Sequence, residues 1–218
     1  MSEVGVYLGG EGRNELGSRA TDPVRQNDDQ PGVIATLLRV VQPDGWHVAG
    51  AIPWRKIKKY RAGRSPGEER NVLGLVQEAV RANAEVVAFV RDADDNTERP
   101  KVIDAAMDKA KQLFPAVDII GDTAIPVLEG WILAIVGEHG TEKLSKSRAQ
   151  SRLEQLGVAR KETAGMVRVA CGASPEGLPQ DARRLRRWLA TARDVLPRRV
   201  QEAELVEGPR PRRDPVDP

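Results

Sequence analysis

Short, mostly apolar runs alternate with amphipathic segments along much of this chain, and this alternation strongly limits its fold. Residues 4–8, 86–90 and 117–120 form runs of strand length. The segments "SPGEERNVLGLVQEAVRANA" and "RPKVIDAAMDKAKQLF" repeat apolar residues at helical spacing. This alternation favours an α/β fold, with a mainly parallel sheet flanked by helices. In such sheets, functional sites gather at the carboxyl ends of the strands.

The composition indicates one domain followed by a tail. The chain has 218 residues, of which 40% are hydrophobic, and this is enough for one sizeable core. We expect a single α/β domain over residues 1–200 and a disordered tail over residues 207–218, where "EGPRPRRDPVDP" is rich in proline and charge. The net charge of +2 argues against a surface that binds nucleic acid everywhere, although a local basic patch is compatible with it.

Cysteine usage and hydropathy predict a cytoplasmic protein without a membrane partner. Cys171 is the single cysteine, so no internal disulfide can form, and we expect it to be a small buried residue. The N-terminus lacks the basic start and long apolar stretch of a signal peptide. The most apolar later window, "AIPVLEGWILAIVG", is too short to span a bilayer and contains Glu129.

Acidic residues follow two of the predicted strands. Glu11 comes after the first strand and Glu15 lies one helical turn further on, while Asp92 and Asp94 follow the strand at 86–90. The spacing of two puts both aspartates on one side if the extended conformation continues. Two unit charges about 4 Å apart repel by roughly 4 kcal/mol at an effective dielectric constant near 20, and a divalent cation removes that repulsion. Magnesium prefers such oxygen ligands.

Each acidic signal also has an ordinary structural explanation. Glu11 and Glu15 are favourable near a helix N-terminus because of the helix dipole. The segment "DADDN" is typical of a polar turn that caps the following helix. The two signals in this chain order, on these elements, point more strongly to a metal site than either one alone.

These residues resemble the Toprim fold, the metal-binding domain shared by topoisomerases, primases and OLD-family nucleases. That family places a glutamate after its first strand, which Glu11 matches, and an Asp-x-Asp pair after a later one, which Asp92 and Asp94 match. "EGRNE" is similar to the Glu-Gly-x-x-Glu form of OLD-type members, which adds Glu15. The chain departs from the family where "LGGEG" places two glycines before Glu11.

A narrower resemblance lies downstream. The segment "IPVLEGWILA" resembles one in a family of small Toprim-like proteins of unknown function, and the likeness covers roughly residues 4–190. It implies that Glu129 is a second metal ligand or a supporting carboxylate; the alternative is a solvated position near a helix start. Trp131 shares a helical stripe with Leu128 and Ile135, so we predict that it packs in the core.

A basic segment follows the predicted strand near residue 50. "PWRKIKKYRAGR" carries cations interleaved with Trp54 and Tyr60, and the candidates for nucleic-acid binding are Arg55, Lys56, Lys58, Lys59 and Arg61. Cations neutralise phosphates and aromatic rings can stack on unpaired bases. The alternative is a solvated edge strand protected by lysines. The arginines of "RRLRRWL" lie mostly opposite its apolar residues, which is typical of an ordinary exposed helix.

Two functional hypotheses follow from the resemblance. The first is a Toprim-type nuclease that uses Mg²⁺ or Mn²⁺, with Glu11, Asp92 and Asp94 as catalytic metal ligands and Glu15 and Glu129 assisting; Lys56, Lys58 and Lys101 are candidates for stabilising the transition state. OLD-type relatives often act in phage defence with an ATPase, which would be a separate subunit because this chain has no Gly-x-x-x-x-Gly-Lys loop. The second hypothesis is a non-catalytic metal- or nucleotide-binding adaptor or sensor.

Overall fold

A computed structural model describes residues 3–21, 30–61, 66–159 and 162–207. In this part of the chain, four parallel strands form one sheet in the order β2-β1-β3-β4. The strands are β1 (Val4–Gly10), β2 (Trp46–Pro53), β3 (Val86–Asp92) and β4 (Asp118–Ala124). This architecture confirms the predicted α/β fold with a parallel sheet flanked by helices.

Eight α-helices accompany the strands in the described residues. They are α1 (Arg13–Leu16), α2 (Val33–Val41), α3 (Gly67–Arg81), α4 (Arg99–Leu113), α5 (Leu128–Ile135), α6 (Lys146–Gln155), α7 (Thr163–Ala170) and α8 (Arg183–Glu207). The helical spacing of apolar residues correctly predicts α3 and α4, whereas no sequence pattern described above predicts α7. Short 3₁₀ turns occupy Gly17–Ala20, Trp54–Lys56 and Thr141–Lys143.

The sheet separates two apolar layers. Alternate residues of a strand point to opposite faces. Val6 and Leu8 of β1 therefore pack with α2 and helices α5 to α8, whereas Val87 and Phe89 of β3 pack with α3 and α4. Trp131 is only 1% exposed in the first layer, so the prediction that it packs in the core is confirmed.

The strand order creates a topological switch point between β1 and β3. From β1 the chain passes to β2 on one side, and it then crosses back to build β3 and β4 on the other. In open parallel sheets, ligands bind in the crevice outside the carboxyl ends of the two strands at such a point. Here those ends are Gly10 and Asp92, next to the predicted acidic residues.

Helix α8 covers β4, which is an edge strand. Arg198 and Arg199 lie 2.7 and 2.6 Å from Asp118 at the start of β4. Arg184 and Arg187 lie 3.0 and 2.6 Å from Asp122, which is 0% exposed near its end. The arginines of this helix therefore bind the edge strand that they protect.

The predictions for Cys171, for membrane-spanning helices and for the C-terminal tail can each be compared with the structure. Cys171 is exposed, so the expectation of a buried thiol is wrong. This cysteine follows the last residue of α7, at the surface end of that helix. None of the helices in the described ranges is both long and apolar enough to cross a membrane. Of the predicted tail, Glu207 ends α8 and residues 208–218 lie outside the described residues.

Candidate functional site

The turn after β3 separates the two aspartates of the predicted pair. Asp92 is the last residue of β3, and Asp94 and Asp95 have φ angles of 49° and 61°. The extended conformation therefore ends before Asp94, because aspartate tolerates this left-handed region. The Asn96 side chain accepts hydrogen bonds from the amides of Glu98 and Arg99 at 3.1 and 3.2 Å at the start of α4. The condition under which both aspartates are expected on one side, a continued extended conformation, is therefore not met.

Three carboxylates form a buried cluster, hereafter the buried triad. Glu15 from α1, Asp92 from β3 and Glu129 from α5 are 5%, 8% and 8% exposed. Each accepts a hydrogen bond from another residue: Glu15 from the Gly12 amide at 2.8 Å, Asp92 from the Leu128 amide at 2.9 Å, and Glu129 from the Gln150 amide group at 3.3 Å. The solvated alternative for Glu129 is therefore wrong.

Burial, together with mutual repulsion, raises pKa values within the buried triad. Burial raises the pKa of Asp92 well above its ordinary value, and the charges of Glu15 and Glu129 raise it further, against the opposing Leu128 amide. Burial also raises the pKa of Glu15, to which the Glu129 charge contributes. Among the described residues, no salt bridge reaches any of the three. Lys146 acts on Asp92 and Glu129 only through its charge at longer range.

Gly10 makes room for the buried triad. A Cβ built on Gly10 would lie 2.5 Å from the Glu15 Cβ, and one on Gly9 would lie 2.5 Å from Leu75 Cδ2. Both glycines continue β1, so the short α1 helix can pack directly against the strand end. The "LGGEG" departure therefore has a steric role, since the absent side chain at Gly10 allows Glu15 to be buried.

A second group, hereafter the arginine network, holds the other predicted ligands. Arg91 contacts Glu11 and lies 3.1 Å from Glu68 and 3.7 Å from Asp94. Arg99 lies 3.0 Å from Glu68 and 3.1 Å from Asp94. These two guanidinium groups therefore bridge acidic residues from three separate segments of the chain.

Lys146 at the start of α6 completes the arginine network. Its ammonium group lies 2.6 Å from Asp94. Burial alone would raise the pKa of Asp94, but hydrogen bonds from Lys146 and Arg99 outweigh burial and hold the pKa below its ordinary value. Sequence reasoning missed Glu68, Arg91, Arg99 and Lys146 because each carries only an ordinary helix- or strand-end signal. Lys101, one of the lysines proposed from sequence, instead pairs with Glu98 at 3.0 Å.

The two groups leave negative charge unbalanced. Within the described residues, the buried triad contributes three carboxylates without an ion pair, while the arginine network pairs three carboxylates with three cations. Six carboxylates thus face three cations, and three negative charges remain when all are ionised. The members are Glu11, Glu15, Glu68, Asp92, Asp94 and Glu129, and Arg91, Arg99 and Lys146.

The donor type and the unbalanced charge fit a divalent cation such as Mg²⁺, which prefers carboxylate oxygens. Within the described ranges, however, no three acidic, histidine or cysteine side chains are arranged so that they could hold a metal ion. The five predicted ligands share one crevice but not one coordination sphere. Glu15, Asp92 and Glu129 lie in the buried triad, whereas Glu11 and Asp94 are held in the arginine network.

The predicted basic segment flanks this crevice. Arg55 and Lys59 line a cavity of about 360 Å³ together with Glu11, Asn71 and Arg91, hereafter the basic groove. Exposed side chains within the segment are Arg55, Lys56, Lys58, Lys59 and Arg61.

The aromatic residues of the basic segment are engaged in packing. Trp54 is buried against Phe89 at 5.6 Å between ring centroids and donates a hydrogen bond to Glu68 at 2.8 Å. Tyr60 packs edge-on against Phe114 at 6.0 Å. The predicted stacking of Trp54 on bases is therefore wrong for the described arrangement, and the groove can offer charge rather than an aromatic platform.

Comparison of the chain with protein-family models, with curated proteins and with solved structures finds no match.

Proposed function

We propose that this protein is a divalent-metal-dependent phosphodiesterase of the Toprim type that acts on nucleic acid. The observation that carries the proposal is the buried triad, three carboxylates at the switch point of a parallel sheet that no salt bridge from the described residues reaches. The basic groove beside it has the charge that a phosphate backbone requires. Acidic ligands and a cationic groove in one crevice are what phosphodiester hydrolysis with Mg²⁺ or Mn²⁺ needs.

In this proposal the buried carboxylates bind the metal ion and the cationic side chains bind phosphate. Glu15, Asp92 and Glu129 would hold the cation, with Glu11 and Asp94 assisting. Bound there, Mg²⁺ would supply Lewis-acid polarisation and a water of lowered pKa. Lys146 stands beside Asp94 at 2.6 Å, so it is placed to stabilise negative charge on a phosphoryl group. Arg55 and Lys59 would bind flanking phosphates.

A cleavage assay with a matched aspartate control tests this function. Plasmid, single-stranded DNA and RNA are incubated with the protein in Mg²⁺ or Mn²⁺. We expect cleavage by the wild type, loss of cleavage in Asp92→Ala, and retention in Asp108→Ala, which removes an aspartate whose side chain is 76% exposed on α4. No cleavage of any substrate, or equal cleavage by Asp92→Ala, would contradict the proposal.

One observation favours the alternative, a non-catalytic adaptor or sensor that binds metal or nucleotide. Glu11 and Asp94 are engaged by Arg91, Arg99 and Lys146, and no trio of ligands in the described residues is ready for an ion. Saturable metal binding without turnover on any nucleic acid would support the adaptor, and turnover would exclude it. A separate ATPase partner, a role in phage defence and a cytoplasmic location remain predictions of the resemblance and the composition.

A further inference from the structure

Asn71 of α3 carries a polar atom that is left without a hydrogen bond. Its side chain lines the basic groove, and Oδ1 is buried without a hydrogen-bond partner among the described residues. Native folds leave few buried polar atoms unpaired, because losing the hydrogen bonds to water without replacing them is destabilising. Oδ1 therefore marks a position in the basic groove where an N–H group of a ligand would bind favourably.

The basic segment that forms one wall of the groove is fixed to α3 next to Asn71. The Tyr60 amide donates a hydrogen bond to the Arg70 carbonyl oxygen at 2.9 Å, and Arg70 Nε donates to the Tyr60 carbonyl oxygen at 3.3 Å. Gly74, about one helical turn beyond Asn71, allows this close approach, since a Cβ there would collide with the Lys58 carbonyl oxygen. These contacts hold the wall of the groove in place, so the groove is a preformed site.

The charges in the groove suit a nucleic-acid backbone. The described residues that line it include three cations, Arg55, Lys59 and Arg91, and one carboxylate, Glu11, which Arg91 contacts. Arg55 and Lys59 are exposed and make no salt bridge within the described ranges. These two side chains can therefore neutralise the phosphates on either side of a bound nucleotide, while Asn71 is available for the base.

The concave shape of the groove decides which form of nucleic acid can reach Asn71. A protein reads the bases of a duplex by inserting a protruding helix or a pair of strands into the major groove. Asn71 instead lines a cavity of about 360 Å³, so the base must enter the protein. An unpaired base can do so without the energetic cost of opening a duplex. Its exposed edge presents N–H donors beside acceptors, and a carboxamide offers a group of each kind.

We propose that the basic groove binds an unpaired nucleobase, whose N–H group donates a hydrogen bond to Asn71 Oδ1, while Arg55 and Lys59 bind the phosphates beside it. The inference rests on the proposed function and deepens it, because it names single-stranded nucleic acid as the substrate. It requires no metal ion, so binding can be measured in a chelating buffer. Trp54 is buried against Phe89, and the base is accordingly recognised by its edge and not by stacking.

Fluorescence anisotropy in EDTA tests the base contact with two strands of equal charge. A thymidine pentanucleotide is compared with a pentanucleotide of abasic sites, which has the same number of phosphates but no bases. We expect the wild-type protein to bind the thymidine strand at least about threefold more tightly, because a hydrogen bond to a buried acceptor contributes about this much. Asn71→Leu removes the acceptor, so this variant should bind both strands with the affinity that the wild type has for the abasic strand.

Two controls separate the base contact from general effects of charge and substitution. Gln112→Leu removes an exposed carboxamide in the last turn of α4 and should keep the wild-type preference for the thymidine strand. A short duplex should bind equally to the wild type and to Asn71→Leu, because its paired bases stay outside the groove. A loss of duplex affinity in Asn71→Leu as large as the loss for the single strand would contradict a site for unpaired bases.

Equal affinity of the wild type for the thymidine and abasic strands overturns the inference, and so does a preference for thymidine that persists in Asn71→Leu. The wild-type comparison decides even if that variant does not fold. Thymidine monophosphate that binds as tightly as the pentanucleotide would identify a free nucleotide as the ligand and overturn the assignment to a strand. Cleavage by wild-type protein without a base preference removes this inference alone, whereas absence of both nucleic-acid binding and cleavage removes the proposed function as well.

Discussion

Asp92 accepts a hydrogen bond from the backbone amide of Leu128 at 2.9 Å, although 36 residues separate them along the chain. This bond joins the last residue of β3 to the first residue of α5. It thereby places Glu129 beside Asp92. Burial raises the pKa of Asp92, and the charges of Glu15 and Glu129 raise it further. This hydrogen bond therefore holds β3 and α5 together where Asp92 and Glu129 repel each other.

Asp92→Asn should stabilise the metal-free protein at neutral pH. The folded-state pKa of Asp92 is raised, so its contribution to stability is fully present below the unfolded-state pKa, about 4, and is lost as pH rises through the folded-state pKa. Asparagine keeps the acceptor for Leu128 without the charge. We expect a melting temperature higher by several degrees at pH 7 in a chelating buffer, where about 1 kcal/mol corresponds to roughly 2–4 °C.

The pH dependence separates charge repulsion from an unrelated packing effect. The advantage of Asp92→Asn over wild type should shrink towards pH 4, where Asp92 is protonated in the folded state. Asp108→Asn, an exposed aspartate on α4, should follow the wild type throughout. Melting curves for Asp92→Asn that run parallel to the wild type at every pH would show that Asp92 carries no repulsion.

Gly10→Ala should destabilise the fold by about 1–3 kcal/mol, the usual effect of overpacking. The new Cβ would lie 2.5 Å from the Glu15 Cβ and force α1 away from β1. Chemical denaturation measures the free energy of unfolding. Gly172→Ala is the control, since the nearest atom to its new Cβ is the Val169 carbonyl oxygen at 3.4 Å. Equal stability of the two variants would mean that α1 moves freely and that Glu15 is not fixed in the triad.

Local patterns were sufficient to predict the sheet and the crevice. Apolar runs and helical periodicity lead to a parallel sheet, and the rule for carboxyl strand ends then brings Glu15 and Asp92 together. Glu129 required a resemblance, because burial of a glutamate in a helix start has no local signature. Helix α7 escaped prediction because its eight residues, "TAGMVRVA", offer little more than two helical turns of pattern.

The division of the acids between two groups could not be predicted from local sequence. It depends on the positive φ of Asp94, a left-handed conformation that aspartate tolerates but does not by itself favour. It also depends on partners contributed by distant elements, above all Glu68 on α3 and Lys146 on α6. Such contacts follow from how the helices pack on the sheet, and the spacing of charges along the chain does not encode them.

Asp122→Ala should lower the free energy of unfolding by about 1–3 kcal/mol, because Arg184 and Arg187 lose a buried hydrogen-bond acceptor and keep only Asp104 as a salt-bridge partner among the described residues. Asp122 is 0% exposed and binds Arg184 and Arg187. Chemical denaturation again provides the measurement. Glu176→Ala removes an exposed partner of Arg193 and should leave the midpoint unchanged. A shift no larger for Asp122→Ala than for Glu176→Ala would contradict a structural role for these arginines.

Lys59→Ala should reduce the salt dependence of nucleic-acid binding. A side chain that contacts one phosphate of a single strand contributes about 0.7 to the slope of log affinity against log salt concentration. Lys59 lines the basic groove, so the slope measured by fluorescence anisotropy with single-stranded DNA should fall by about 0.7. Lys111→Ala, in the last turn of α4, should leave it unchanged. Equal slopes for the two variants would place the nucleic acid elsewhere.

The central claim is that Glu15, Asp92 and Glu129 share a divalent cation, and Mn²⁺ binding followed by electron paramagnetic resonance tests it most directly. Wild-type protein should remove free Mn²⁺ saturably when single-stranded DNA is present, and Asp108→Asn should do the same. The triple variant Glu15→Gln, Asp92→Asn, Glu129→Gln should lose at least about tenfold in affinity, equivalent to about 1.4 kcal/mol. Mn²⁺ bound as tightly by the triple variant as by the wild type, or not bound by either, would contradict the claim.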